Sequence, residues 1–156
     1  MVIVYNIDSN LVKLVDILSI LLDRETILNK VKSREFASFI EKFKISNVMV
    51  FGSVLTNDFN EESDVDIAIL GDENILLDNI LDMELYLEGF LHRDIDIIDL
   101  RSTTLDMFVR INILNSGEVI YSTNPELLEK YMDEVEWNYR ENENFIYFRK
   151  VDVLYE

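Results

Sequence analysis

Two apolar runs joined by a polar connection of ten residues constrain this chain more than any other feature. The first run, residues 47–51, reads Asn-Val-Met-Val-Phe and stops at Gly52-Ser53; the second opens with Asp64-Val65-Asp66 and continues Ile-Ala-Ile-Leu to residue 70. An almost wholly apolar run ended by glycine has the pattern of a strand buried on both faces. The second run alternates, which turns Val65, Ile67 and Ile69 to one face and Asp64, Asp66 and Ala68 to the other. Two carboxylates therefore share a face, and a turn of helix is expected to begin at Gly52-Ser53.

The rest of the chain alternates helices with strands around this pair. Residues 1–7 have a strand-like composition without clear alternation. From Asn10, the spacing of Leu11, Leu14, Val15, Leu18, Leu21 and Leu22 predicts a helix, with Ser9 or Asn10 as its cap. Ile27, Leu28 and Val31 continue a helical region, with a restart at Ser33 that aligns Phe36, Phe39, Ile40 and Phe43 in a core-facing stripe. Leucines and isoleucines at intervals of three and four predict a crossover helix over 75–90. Residues 93–99, Arg-Asp-Ile-Asp-Ile-Ile-Asp, form another strand, with Asp94 and Asp96 on one face and Ile95 and Ile97 on the other. A helix over 104–115, closed near Gly117, and a short strand at 118–121 follow. Asn124-Pro125 starts a last helix that presents Leu128, Tyr131, Met132, Val135 and Tyr139. The class is α/β (α+β), with a small mixed sheet flanked by helices.

At 156 residues and 49% apolar content the chain is long enough for one domain spanning 1–156. Its parts are a helical segment 1–44, a sheet core 45–122 and a helical segment 123–156. No run reaches the roughly 20 uncharged apolar residues of a membrane span, and residues 1–10 lack the features of a signal peptide, so a cytoplasmic protein without a membrane partner is expected. The absence of cysteine excludes disulfides, zinc–thiolate centres and a cysteine nucleophile, leaving carboxylates and hard metals to carry any catalysis. With 31 acidic against 14 basic residues the net charge is −17, and no clustered Lys and Arg offers a patch for long nucleic acid. So much acid serves solubility, or docks a basic protein.

Gly-Ser after a strand is common in loops, and Asp-x-Asp can be no more than the polar edge of a sheet. Together with Asp96 they say more. Three aspartates on one sheet face repel one another unless a cation is present, so Asp64, Asp66 and Asp96 are candidate metal ligands and catalytic groups. Gly52 allows close approach of the backbone to phosphate, and Ser53 can donate to it. The arrangement suits a metal-bound triphosphate.

Gly52-Ser53, ten residues, then Asp64-Val65-Asp66, with the later Asp96, resembles the GSX10DXD signature of the minimal nucleotidyltransferase (MNT) family within the DNA polymerase β-like superfamily. Asp99-Leu100-Arg101, the run from Asn115 to Tyr121 and the helical C-terminus further resemble the MNT antitoxins of HEPN/MNT toxin–antitoxin pairs; residues 1–44 match only as generic helices. The resemblance implies the polymerase β-like fold and transfer of AMP from ATP, with two Mg²⁺ ions, to a tyrosine hydroxyl of a cognate HEPN ribonuclease held in a hetero-oligomer. By position it gives Gly52 and Ser53 the triphosphate, Asp64 and Asp66 the metals, and Asp96 the third carboxylate. Many members carry a small residue, Arg and Gly where this chain has Leu55-Thr56-Asn57. Arg93, Arg101 and Arg110 are candidates to replace the missing cation; Arg101, following the third-carboxylate strand, either faces the nucleotide or pairs with Asp99 or a neighbouring acid. Two alternatives stay open: an antitoxin that masks its toxin by binding alone, and a transferase acting on a small molecule such as an aminoglycoside.

Overall fold

The computed structural model describes residues 8–154, with side chains over 8–143. The strand-like run expected at 1–7 lies outside the described residues. In chain order the elements are α1 (Ser9–Val31), α2 (Arg34–Ile40), β1 (Asn47–Phe51), a 3-10 turn (Gly52–Leu55), β2 (Val65–Leu70), α3 (Leu77–Leu91), β3 (Ile95–Asp99), α4 (Met107–Ser116), β4 (Glu118–Ser122) and α5 (Pro125–Leu154). This is the expected mixed α+β architecture, and α5 runs unbroken from Pro125 to Leu154.

The sheet has the order β3-β2-β1-β4. β1 is antiparallel to both its neighbours, whereas β2 and β3 are parallel. A parallel pair cannot be joined by a hairpin, and α3 supplies the crossover. It stops at His92, whose left-handed backbone (φ 54) closes the helix by donating to the Glu88 carbonyl and turns the chain directly into β3.

Period-two alternation divides the core. Val48, Val50, Ile67, Ile69, Ile95 and Ile97 face α2, α3 and the C-terminal part of α1, where Ile27, Phe36, Ile40, Met83 and Leu87 complete one layer. Met49, Ala68 and Leu70 point the other way, onto Ile113 and Leu114 of α4 and Leu128, Tyr131 and Val135 of α5. Each such aliphatic side chain, once buried, contributes roughly 1.5–3 kcal/mol relative to exposure, so β1 and β2 form the rigid centre of the molecule.

Local signals set the helix ends. Ser33 caps α2 by accepting from the Phe36 amide, and Asn124 accepts from Leu127 at the start of α5. The helix expected from Thr104 begins instead at Met107, because Asp106 accepts from both the Phe108 and Val109 amides and fixes the first turn there. α1 is helical as its spacing requires, yet it buries only Ile27 and Val31; Leu11, Leu14, Val15, Leu18, Leu21 and Leu22 are all exposed. Among the described residues no helix is long and apolar enough to cross a membrane.

Candidate active site

Strand pairing builds the site. Because β1 and β2 are antiparallel, the exit of β1 at Phe51 lies opposite Asp66; because β2 and β3 are parallel, Asp66 lies in turn opposite Asp96. Neighbouring strands are about 5 Å apart, so the two carboxylates are adjacent. Both alternate with residues of the α3-side core, Val65 and Ile67 on β2 and Ile95 and Ile97 on β3. They therefore project to the same side of the sheet, the side that carries Ala68. Asp64 is exposed and immediately precedes β2.

Gly52 closes this row. Its φ of +75° is costly for any residue with a side chain, and a Cβ there would stand 2.2 Å from Asp66 Oδ2. Glycine is thus required twice, by the turn and by the carboxylate against which the turn rests. Ser53 follows in the 3-10 turn, which is held by the Thr56 amide and hydroxyl donating to the Ser53 carbonyl at 2.9 and 3.1 Å.

The electrostatics agree with this geometry. The Asp66 carboxyl is held above its ordinary pKa near 3.8, first by desolvation and then by the charges of Asp96 and Asp64. Repulsion of that kind is relieved by a cation. Among the described residues no three His, Cys, Asp or Glu side chains are drawn into a ready-made ion cage. What the fold provides is two register-matched carboxylates, a third at the strand's approach, and oxygen donors throughout, a set chemically suited to a hard divalent ion.

Residues 34–126 match the sequence model of the polymerase beta nucleotidyltransferase family, a stretch that contains Gly52, Ser53, Asp64, Asp66 and Asp96. The chain belongs to that nucleotidyltransferase family. A Methanocaldococcus jannaschii protein provisionally named a protein adenylyltransferase is 38% identical over 58 residues, 37% of this chain. The chain spans 59% of that relative's length. Among solved structures, a chain of a toxin–antitoxin complex crystallised with AMP-PNP superimposes with a TM-score of 0.63 at 19% identity, covering 81% of this chain and 98% of the other. A complex of tri-AMPylated Shewanella oneidensis HEPN toxin with MNT antitoxin gives 0.55 at 19% identity, over 86% of this chain and 98% of its counterpart. These likenesses establish a shared fold.

Within this nucleotidyltransferase the arginines fall elsewhere than expected. Arg101 lies away from the row of Gly52, Asp66 and Asp96: it is five residues beyond Asp96, about 16 Å along the strand direction, at the opposite end of the sheet. There its backbone amide donates to Asp99, its Nε donates to the Gly71 carbonyl at 3.0 Å, and its guanidinium lies over the Tyr131 ring. Arg110 is also occupied, donating to the Ser102 carbonyl at 2.8 Å. Arg93 serves the ten-residue connection. Its Nη1 donates to the carbonyls of Asn60, Glu61 and Ser63, its Nη2 pairs with Asp23 of α1, and its plane stacks near Phe59. It thereby fixes the loop that delivers Asp64. Arg24, overlooked in the sequence, donates from Nη1 to the Thr56 carbonyl at 3.0 Å. Both α1 contacts span more than thirty residues of chain and leave no local signal.

Proposed function

We propose that this protein transfers AMP from Mg-ATP to a tyrosine hydroxyl of a cognate HEPN ribonuclease toxin and thereby neutralises it in the cytoplasm. The observation that carries the reading is the row formed by Gly52, Asp66 and Asp96, a backbone turn seated against a carboxylate whose charge is already opposed by its neighbours. Family membership supports nucleotidyl transfer, and the AMPylated toxin in a complex of the same fold supports the acceptor.

In this scheme the turn at Gly52 and Ser53 receives the triphosphate, with Ser53 donating to a phosphate oxygen. Asp64, Asp66 and Asp96 would hold the two Mg²⁺ ions, which would supply polarisation of the α-phosphate and charge neutralisation of the pyrophosphate. The tyrosine oxygen forms a bond to the α-phosphorus, and the bond from that phosphorus to the bridging oxygen of the β-phosphate breaks. Pyrophosphate leaves, and Asp96 accepts the phenolic proton. A cation held there would favour the charged form of Asp66, whose affinity for protons is otherwise raised.

The test is the intact mass of the purified HEPN protein after incubation with this protein and MgATP. A gain of one or more AMP masses that disappears with Asp64→Ala/Asp66→Ala supports the reading; an unchanged toxin mass with the wild type, or equal modification by the double variant, overturns it. The −17 net charge favours a second reading, in which the chain silences a basic toxin by association alone. That reading requires full neutralisation by the double variant and affinity that falls steeply with salt.

A further inference from the structure

We infer that the outer part of α1 is the docking arm for the protein acceptor, and that its occupant is a basic protein that covers the arm with an apolar surface of its own. The inference rests on the reading above that the acceptor is a protein. Leu11, Leu14, Val15, Leu18, Leu21 and Leu22 recur at spacings of three and four and are each 45–64% exposed. They form a stripe wider than a two-stranded coiled-coil seam, the width that a helix presents when it enters a bundle. Six exposed apolar side chains on one helix face make a patch, rather than the scattered single hydrophobics ordinary on a monomer's surface.

Charge selects the occupant. Around the stripe Lys13 and Arg24 balance Asp16 and Asp23, so the arm is locally neutral, while the chain as a whole carries −17. A second copy would meet that charge with its own, whereas a basic protein is drawn to it and then held by the apolar stripe. Position gives the arm its use. The stripe leads without interruption into Asp23, which pairs with Arg93, and Arg24, which donates to the Thr56 carbonyl. Leu22 is one residue from these contacts, so a protein seated on the stripe borders the turn after Gly52-Ser53 and the loop before Asp64. α1 precedes the stretch 34–126 that matches the family's sequence model.

The test mixes wild type or Leu14→Glu/Leu18→Glu with a purified cognate HEPN protein, without ATP, and reads complex formation by light scattering and the dissociation constant by calorimetry. Both positions are exposed, so an unchanged melting curve and unchanged MgATP binding are expected of the variant; a milder Leu11→Gln/Leu18→Gln pair replaces it if the melt shifts. A Kd raised thirtyfold or more, with a higher KM for the acceptor and an unchanged kcat in the transfer assay, supports the arm. Equal binding by wild type and variant overturns it. So does a wild type that pairs only with itself through α1, or an adventitious mixture in which no complex forms. A complex that depends on α1 yet yields no AMP transfer leaves the arm in place and removes the catalytic reading instead.

Discussion

The two ends of the parallel β2–β3 pair both carry aspartates and treat them in opposite ways. At the far end Asp99 is 8% exposed, and both its oxygens are used: Oδ2 accepts from the Ile75 amide at 2.8 Å and Oδ1 from the Arg101 amide at 2.9 Å. Arg101 is spent on Gly71 and Tyr131, and the Tyr131 hydroxyl donates to the Leu100 carbonyl. At the near end Asp66 is partly desolvated, with Asp96 for a neighbour across the strand and Asp64 two residues before it, and its proton affinity rises accordingly. A carboxylate that the protein itself satisfies is architecture. One whose charge is opposed by its own neighbours is left for something that arrives from outside.

Removing the two kinds of carboxylate should therefore separate activity from stability. Asp64→Ala/Asp66→Ala is expected to lower nucleotidyl transfer by on the order of 10³-fold, since the electrophilic activation by metal is worth several kcal/mol, while the melting temperature stays at or above that of the wild type. Steady-state transfer assays and thermal unfolding check both halves. Gly52→Ala comes next: the clash with Asp66 and the left-handed turn together should reduce transfer about a hundredfold and cost roughly 1–3 kcal/mol of stability. Denaturant unfolding reads the second effect, and a variant as active as the wild type would refute the assigned contact. Asp99→Ala reverses the pattern, with kcat close to wild type but about 2–3 kcal/mol lost as two buried amides lose their acceptor.

The near end was legible in the sequence because everything that builds it is local or periodic. Glycine after an apolar run, alternation through Asp64 and Asp66, and alternation again through Asp96 determine which side each carboxylate takes, and parallel pairing then brings Asp66 and Asp96 level. Arg101 shows where such reading ends: nearness to Asp96 in sequence is distance along a strand, and five residues carry it to the other end of the sheet. Arg93 and Arg24 were opaque for a different reason, since their contacts with residues 56–63 depend on where α1 is placed over the sheet. α1 and α2 make the same point about burial. Both have helical apolar spacing, yet Phe36, Phe39 and Ile40 are buried and Leu11 to Leu22 are not, because periodicity says which face is apolar and nothing about what covers it.

The smallest predicted effect is the sharpest test of the comparison. Asp66 binds its proton more tightly in the folded chain than in the unfolded one, because burial, Asp96 and Asp64 all oppose its charge. Protonation of this group therefore favours folding between the ordinary value near 3.8 and the higher folded one. The stability it contributes is complete below the ordinary value and is lost as pH rises through the folded value, so at neutral pH the charged carboxylate is a burden on the fold. Asp66→Asn should then melt slightly higher than the wild type at pH 7, with the difference shrinking as pH falls through about 4. Added Mg²⁺ should raise the wild-type melting temperature and leave the variant's unchanged. Asp99→Asn must do the reverse at pH 7, since an amide replaces one of two oxygens that buried N–H groups require. If Asp66→Asn also melts lower than the wild type at pH 7, Asp66 is satisfied within the fold as Asp99 is, and the distinction between the two ends of the β2–β3 pair fails.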